Sequence, residues 1–271
     1  MTMVAGSRPV LVIAGSDPSG GAGIEADIKT LTALGAYAMT AITVLTVQDT
    51  EGITEIHAVP AGFVGRQLRT LLADIGPQAI KIGLLGSARM VDAVALALHE
   101  AAAGVPIVLD PVLKATSGMA LLEPAGLHSL IKTLLPMASL VTPNLDEAAA
   151  LTGRPVKTLE DMQAAAEALV GMGAAAALVT GGHLEGDQLF DVLLDADGIR
   201  TYEDRRLDSR HTHGTGCTLS SAIAAGLAAG KSLPVAVGEA RQFVRRAIVA
   251  APGLGSGRGP LGHAGAGRGN D

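Results

Sequence analysis

The stretch HTHGTGCTLSSAIAAGL, residues 211–227, places the chain's one cysteine directly behind Gly-Thr-Gly, at the start of an Ala-rich helical pattern. Gly214, Thr215 and Gly216 leave backbone N–H groups unpaired in the first helical turn. The helix dipole adds positive character there, so the segment predicts an anion hole. The same field lowers a thiol pKa, which predicts Cys217 as a partly ionised, reactive group near neutral pH. The competing reading makes Cys217 a small apolar residue that fills a core. An inert cysteine gains nothing from the glycines before it, and the reactive reading prevails.

Three other polar clusters stand out. AGSDPSGGAG (14–23) follows an apolar run and opens a helix. Its glycines let backbone approach a ligand closely, although the spacing is neither a dinucleotide fingerprint nor a Walker loop. GLAAGKS (226–232) falls one residue short of Walker spacing and follows a helix, so it is set aside. In TPNLDEAAAL, Asn144 and Glu147 stand at i and i+3, where they would share one helix face and hold a hydrated Mg²⁺. The same spacing is a capping box, and spacing alone favours the cap. Asp110, in VLDPV, is either a turn former or a pocket residue.

Around these clusters, short apolar runs alternate with amphipathic helical patterns: PVLVIAG (9–15), AMTAITVLTVQ (38–48), AIKIGLLG (79–86), VPIVLDPVL (105–113), SLVTPN (139–144) and AAALVTGGH (175–183). Runs apolar on both faces indicate βαβ units around a central parallel sheet, whose ligands lie beyond the carboxyl ends of the strands. IEADIKTLTALG predicts a helix with Ile24, Ile28, Leu31 and Leu34 on its inner stripe. QLFDVLLDADGIRTYEDRR (188–206) has a hairpin signal at Asp-Gly and predicts an antiparallel sheet edge. No linker-like composition breaks the chain, so residues 1–271 read as one α/β domain, with 1–8 and 264–271 as flexible tails.

The formal net charge of -6 and the 2% aromatic content speak against a nucleic-acid partner, which needs clustered basic residues and stacking platforms. The apolar run before Asp17 is too short for a signal segment or a membrane span. A single cysteine rules out an intramolecular disulfide, and a cytoplasmic enzyme is the expectation.

Taken together and in order, AGSDPSGGAGIEADIKTLTALGAYAMTAIT, KIGLL, VLDPVL, VTPNLDEAAAL, TGGH, HTHGTGCTLSSAIAA and GSGRGPLGH resemble the hydroxymethylpyrimidine/phosphomethylpyrimidine kinases of thiamine biosynthesis, in the ribokinase superfamily. The resemblance implies a three-layer α/β/α sandwich with a mainly parallel sheet. It also implies ATP and Mg²⁺ as cofactors, small-molecule substrates and a homodimer. The implied chemistry is phosphorylation of 4-amino-5-hydroxymethyl-2-methylpyrimidine, then of its monophosphate. Cys217, with Gly214, Thr215 and Gly216, takes the place where much of the superfamily has an aspartate base. Gly15, Asp17, Ala22, Asp27, Gln48 and Leu84 are implied at the pyrimidine pocket. Asn144, Thr180, Gly182 and Gly216 are implied at the nucleotide, and Asp110, Asn144 and Glu147 at the metal.

Three positions depart from the family pattern: Thr180 where a lysine often precedes Gly-Gly-His, Lys114 where an apolar residue is usual, and His211 where asparagine is common. The alternatives are a pyridoxal or pyridoxamine kinase of the same fold, or a non-catalytic sensor built on it.

Overall fold

Along β1 (Pro9–Ser16), Val10, Val12 and Ala14 face one layer of helices, while Leu11 and Ile13 face the other. All five are essentially without solvent exposure, the pattern expected of a parallel strand covered on both sides. The computed structural model describes residues 8–115, 118–182, 184 and 186–267. In it β1 is joined by β2 (Tyr37–Gln48), β3 (Ile53–Ala58), β4 (Ala79–Ile82), β5 (Ile107–Leu109), β6 (Leu140–Val141), β7 (Ala177–Thr180), β8 (Gln188–Asp195) and β9 (Gly198–Arg205). They form one sheet in the order β3-β2-β1-β4-β5-β6-β7-β8-β9. The strands from β2 to β7 run parallel, β3 closes one edge antiparallel, and the β8–β9 hairpin closes the other.

The helices sort by face. α1 (Gly23–Ala33), α7 (Thr215–Ala228), α8 (Leu233–Val249) and the short α9 (His263–Ala266) cover one side of the sheet. On the other lie α2 (Ala61–Asp74), α3 (Ala88–Ala101), α4 (Pro124–Ser129), α5 (Leu145–Thr152) and α6 (Leu159–Gly171). This is the three-layer sandwich expected, and the 188–206 hairpin is where its Asp-Gly turn put it.

Three details depart from expectation. In α1 the buried face is Ile24, Asp27 and Leu31, whereas Ile28 is 39% exposed. The helix is turned because Asp27 pairs with a buried lysine of β4, which outweighs the burial of one isoleucine. The strand β3 had no place in the apolar pattern, since only Ile53 of its six residues is buried. At the carboxyl end, residues 264–266 are not a fraying tail. They continue α9, where Ala266 is buried and its carbonyl accepts from Arg246 Nε at 3.3 Å. Residues 1–7 and 268–271 lie outside the described residues.

His263 anchors that last helix. Its Nε2 lies 2.9 Å from Thr218 Oγ1 of α7, and the ring is buried. Burial, reinforced by Lys29, pushes the imidazole down to about 4 from an ordinary 6.5. Because the folded value is the lower one, the stabilisation is complete above about 6.5 and is lost as pH falls from there through 4. Melting curves of the parent between these limits should therefore fall more steeply with acid than those of His263→Gln, by up to about 3 kcal/mol. Parallel curves would show that His263 does not couple the tail to folding.

Candidate active site

β1 has β2 on one side and β4 on the other, so the order of connection reverses there, and the carboxyl ends of these strands are where sheets of this type take their ligands in a crevice. Every polar cluster singled out in the sequence arrives at this end: the loop after β1, Gln48 at the end of β2, Leu84 after β4, Asp110 after β5, Asn144 after β6, Thr180 ending β7, and the start of α7.

The two glycine-rich segments are locked to one another. Gly214 caps α7 with φ 82°, and a Cβ there would lie 1.9 Å from the Gly21 carbonyl oxygen, so only glycine fits. Asp17 fastens the same junction. Its carboxylate accepts from Ser19 N at 2.9 Å and Ala22 N at 2.8 Å, and lies 2.9 Å from His213 Nε2. Burial alone would raise this carboxyl, but the His213, Ser19 and Ala22 contacts hold it at about 2. Asp17 is thus turned into the loop and builds the pocket instead of lining it. Gln48 Nε2 sits 3.2 Å from the same His213 nitrogen. A Cβ on Gly15 would meet Val44 at 2.7 Å and Leu84 at 3.0 Å, which places Gly15 and Leu84 on one apolar wall. Gly15 thus neighbours Leu84, and Ala22 and Gln48 both adjoin the Asp17–His213 pair.

Beneath α7 the expectation for Asp27 fails. Its side chain is fully buried, bonded to Lys81 Nζ at 2.9 and 3.1 Å and to Ser221 Oγ at 2.7 Å, and cannot touch a ligand in the crevice. Burial favours the uncharged form of both partners; their contact opposes it and leaves Lys81 above the ordinary lysine value. The state of Cys217 is also corrected. Burial pushes its thiol up to about 12, with Lys81 opposing and Asp27 and Asp110 adding to the rise. Low dielectric and the two carboxylates outweigh Lys81 and a hydrogen bond from the Gly23 backbone, so the thiol is protonated at neutral pH.

Asn144 and Glu147 make the capping box in full: Glu147 N donates to Asn144 Oδ1 at 3.0 Å, and Asn144 N donates to Glu147 Oε2 at 2.9 Å. Glu147 is nevertheless pushed up to about 8, by burial first and by Asp110 second. Among the described residues no three His, Cys, Asp or Glu side chains converge as a metal cage. Thr180 pairs with Asn144 across the β6–β7 ends and folds its hydroxyl back on the Pro143 carbonyl at 3.4 Å. Gly182 lies just beyond, open to solvent, while His183 of the TGGH motif is outside the described residues. Lys114 is exposed on a bridge to Ala120, and His211 packs against Gly259 of the tail segment.

Several residues escaped the sequence reading. Lys81 and Ser221 complete the Asp27 cluster, and Ser220 Oγ lies 3.1 Å from Asp110 Oδ2. Arg206 reaches three carbonyls of the β7–β8 loop, Gly186, Gly182 and Leu184, at 3.0, 2.8 and 2.6 Å. A polar residue inside the otherwise apolar AIKI strand was the available signal for Lys81. Arg206 had none, because its partners are backbone.

Comparison with known proteins supplies the frame. The family model for phosphomethylpyrimidine kinase matches residues 17–262. A hydroxymethylpyrimidine/phosphomethylpyrimidine kinase of Streptomyces coelicolor is 47% identical over 254 residues, covering 94% of this chain and 93% of the relative. The protein of that name from Rhizobium meliloti is 46% identical, covering 93% and 96%. Among solved structures, Bacillus subtilis pyridoxal kinase in an ADP complex superposes with a TM-score of 0.88 at 34% identity, covering 96% of this chain and 98% of that one. Staphylococcus aureus pyridoxal kinase with AMP-PCP and pyridoxal gives 0.86 at 34%, covering 95% and 94%. Clostridium difficile phosphomethylpyrimidine kinase gives 0.79 at 36%, covering 89% and 99%. With the crevice, the interlocked glycine segments and these matches in one register along nearly the whole chain, the protein belongs to the phosphomethylpyrimidine kinase family.

Proposed function

We propose that this chain transfers the γ-phosphoryl group of ATP to the hydroxymethyl oxygen of 4-amino-5-hydroxymethyl-2-methylpyrimidine, and then phosphorylates the resulting monophosphate. The observation that carries the reading is the junction of Gly214 with Gly21, fastened by Asp17 and His213. On this reading Gly15, Ala22, Gln48 and Leu84 form the acceptor pocket, and the junction supports it by holding the loop after β1 against the start of α7. The names of the relatives at 46–47% identity supply the substrate, and the AMP-PCP and ADP complexes of the structural neighbours support ATP as donor.

Phosphoryl transfer has a loose transition state, so positioning and charge neutralisation matter more than a strong base. The acceptor oxygen bonds to the γ-phosphorus as the bond to ADP breaks. The N–H groups of Gly216 and Cys217 donate to the charge on the moving group, while that of Thr215 is held by the Thr212 carbonyl at 3.4 Å. The protonated Cys217 thiol stands at the same terminus as a donor, and the hydroxyl proton leaves late, passing to an oxygen of the transferred phosphoryl group. At the nucleotide end, Thr180 and Gly182 border the phosphates, and Arg206 sets the loop that carries Gly182.

A buried carboxylate raised by a second buried carboxylate, as Glu147 is by Asp110, belongs to a donor set that a cation relieves. Asp110 and Glu147 thus fit a magnesium ion held largely through water and phosphate oxygens, with Asn144 alongside. Such an ion, when bound, neutralises phosphate charge. The reading places the enzyme in the cytoplasm, where ATP is supplied.

Coupled ADP release with the pyrimidine, its monophosphate and pyridoxal tests the substrate directly. Turnover of both pyrimidines is expected, and turnover of pyridoxal alone would overturn the proposal. Thermal melts test the metal site. The folded value for Glu147 is about 8 against an ordinary 4.5, so stabilisation by its protonated form is complete below 4.5 and is lost as pH rises through 8. Without Mg²⁺ the parent should lose stability relative to Glu147→Gln across that window. Added Mg²⁺ near the upper end should raise the parent's melting temperature more than the variant's.

A further inference from the structure

β4 carries Lys81 in a strand whose other residues are apolar, and its side chain has no solvent exposure. A lysine in the middle layer of a sandwich is costly to bury. An apolar residue of similar volume on that face would be at least as good for stability, so a buried ion pair is weak support for a purely structural role. The geometry shows what the ammonium organises. Nζ lies 2.9 and 3.1 Å from the carboxylate of Asp27 on α1, and 4.0 Å from Asp110 Oδ2 at the end of β5. Each carboxylate is tied in turn to α7: Asp27 accepts from Ser221 Oγ at 2.7 Å, and Ser220 Oγ lies 3.1 Å from Asp110. Ser220 Oγ is also 2.9 Å from the Gly216 carbonyl and 3.1 Å from that of Cys217, in the turn that forms the anion hole. The strand makes room for this arrangement, since a Cβ at Gly83 would lie 2.9 Å from Lys81 Nζ.

We infer that Lys81 is a positioning residue of the active site, holding Asp110 and the first turn of α7 at one fixed spacing on either side of the transferred phosphoryl group. It acts through Asp27, Asp110, Ser220 and Ser221 and touches no substrate. The inference rests on the kinase reading above, with Asp110 on the metal side of the crevice and the Gly216–Cys217 amides on the other. Asp27 is the counter-charge that allows a lysine to be buried there at all.

The test separates support of the fold from support of the reaction. Lys81→Met leaves Asp27 without its partner and should lower both melting temperature and kcat. Asp27→Asn combined with Lys81→Met removes the buried charge pair together, and should regain most of the melting temperature. The kcat of this double variant should stay about 10²-fold below the parent, with KM for the ring alcohol nearly unchanged, because the reacting groups are misplaced and not the binding pocket. A double variant that recovers kcat along with stability would make Lys81 merely a partner for Asp27 and would overturn the inference. Gly83→Ala provides a second arm, keeping every charge while crowding the ammonium. Because the added methyl also meets Ala14 Cβ at 3.2 Å, some loss of melting temperature is expected there, smaller than in Lys81→Met, together with loss of kcat. If the double variant does not fold, parent-like turnover by Gly83→Ala alone overturns the inference. Each variant is compared with its parent on whichever ring alcohol the parent phosphorylates. A preference for pyridoxal would therefore end the substrate reading while this comparison still decides the role of Lys81.

Discussion

The buried contact between Lys81 and Asp27 is the constraint on which the catalytic end of this protein depends. It joins a strand to a helix in a layer where an unpaired charge would be intolerable, so neither side chain can move without the other. The consequences run outward in a definite order. Asp27 must face inward, which rotates α1 and turns Ile28 toward solvent. Asp110 is drawn to the same ammonium, and Ser220 and Ser221 bring the start of α7 down onto both carboxylates. The first turn of α7 is thereby seated on a fixed polar floor and not on a deformable apolar one.

That floor changes the chemistry expected of Cys217. A helix N-terminus by itself favours a thiolate. Here burial dominates and the nearby carboxylates of Asp27 and Asp110 reinforce it, against which the single charge of Lys81 is insufficient. The site therefore offers amides and a protonated thiol, not a ready-made base. This suits a reaction in which the acceptor proton is lost late and the main demand is to orient and neutralise phosphate. The glycines before Cys217 are explained by the same demand. Gly214 lets α7 begin against the loop after β1, and Gly216 leaves the side facing Asp110 open, where a Cβ would have Asp110 Oδ2 as its nearest neighbour at 3.9 Å.

Much of this was legible in the sequence where the cause is local. Strands apolar on both faces, the Asp-Gly hairpin and the glycines at 14–23 and 214–216 follow from pattern and turn chemistry, and the structure puts them as expected. What was not legible depends on partners distant in the chain. Asp27 and Lys81 are separated by 54 positions, and nothing near either one announces the other. Asp27 looked like a pocket residue because it belongs to a motif whose neighbours are. β3 was missed because an edge strand with one buried residue carries no apolar alternation. The tail beyond residue 263 reads as Gly-rich and loose, yet the burial of His263 and Ala266 against α7 and α8 orders it. Spacing alone favours the capping box and the resemblance sets it aside for a metal site, yet the structure forms the box in full, with burial and Asp110 also raising the same Glu147.

The central claim is that burial at the start of α7, reinforced by Asp27 and Asp110, keeps the Cys217 thiol protonated in the free enzyme. Because the chain has one cysteine, the pH dependence of its alkylation by iodoacetamide, followed by intact mass, reads that single group. With the thiol at about 12, the rate should climb roughly tenfold per pH unit through at least about pH 10 without levelling. A plateau reached near neutral pH would show a thiolate already formed at the helix terminus, and would contradict the account.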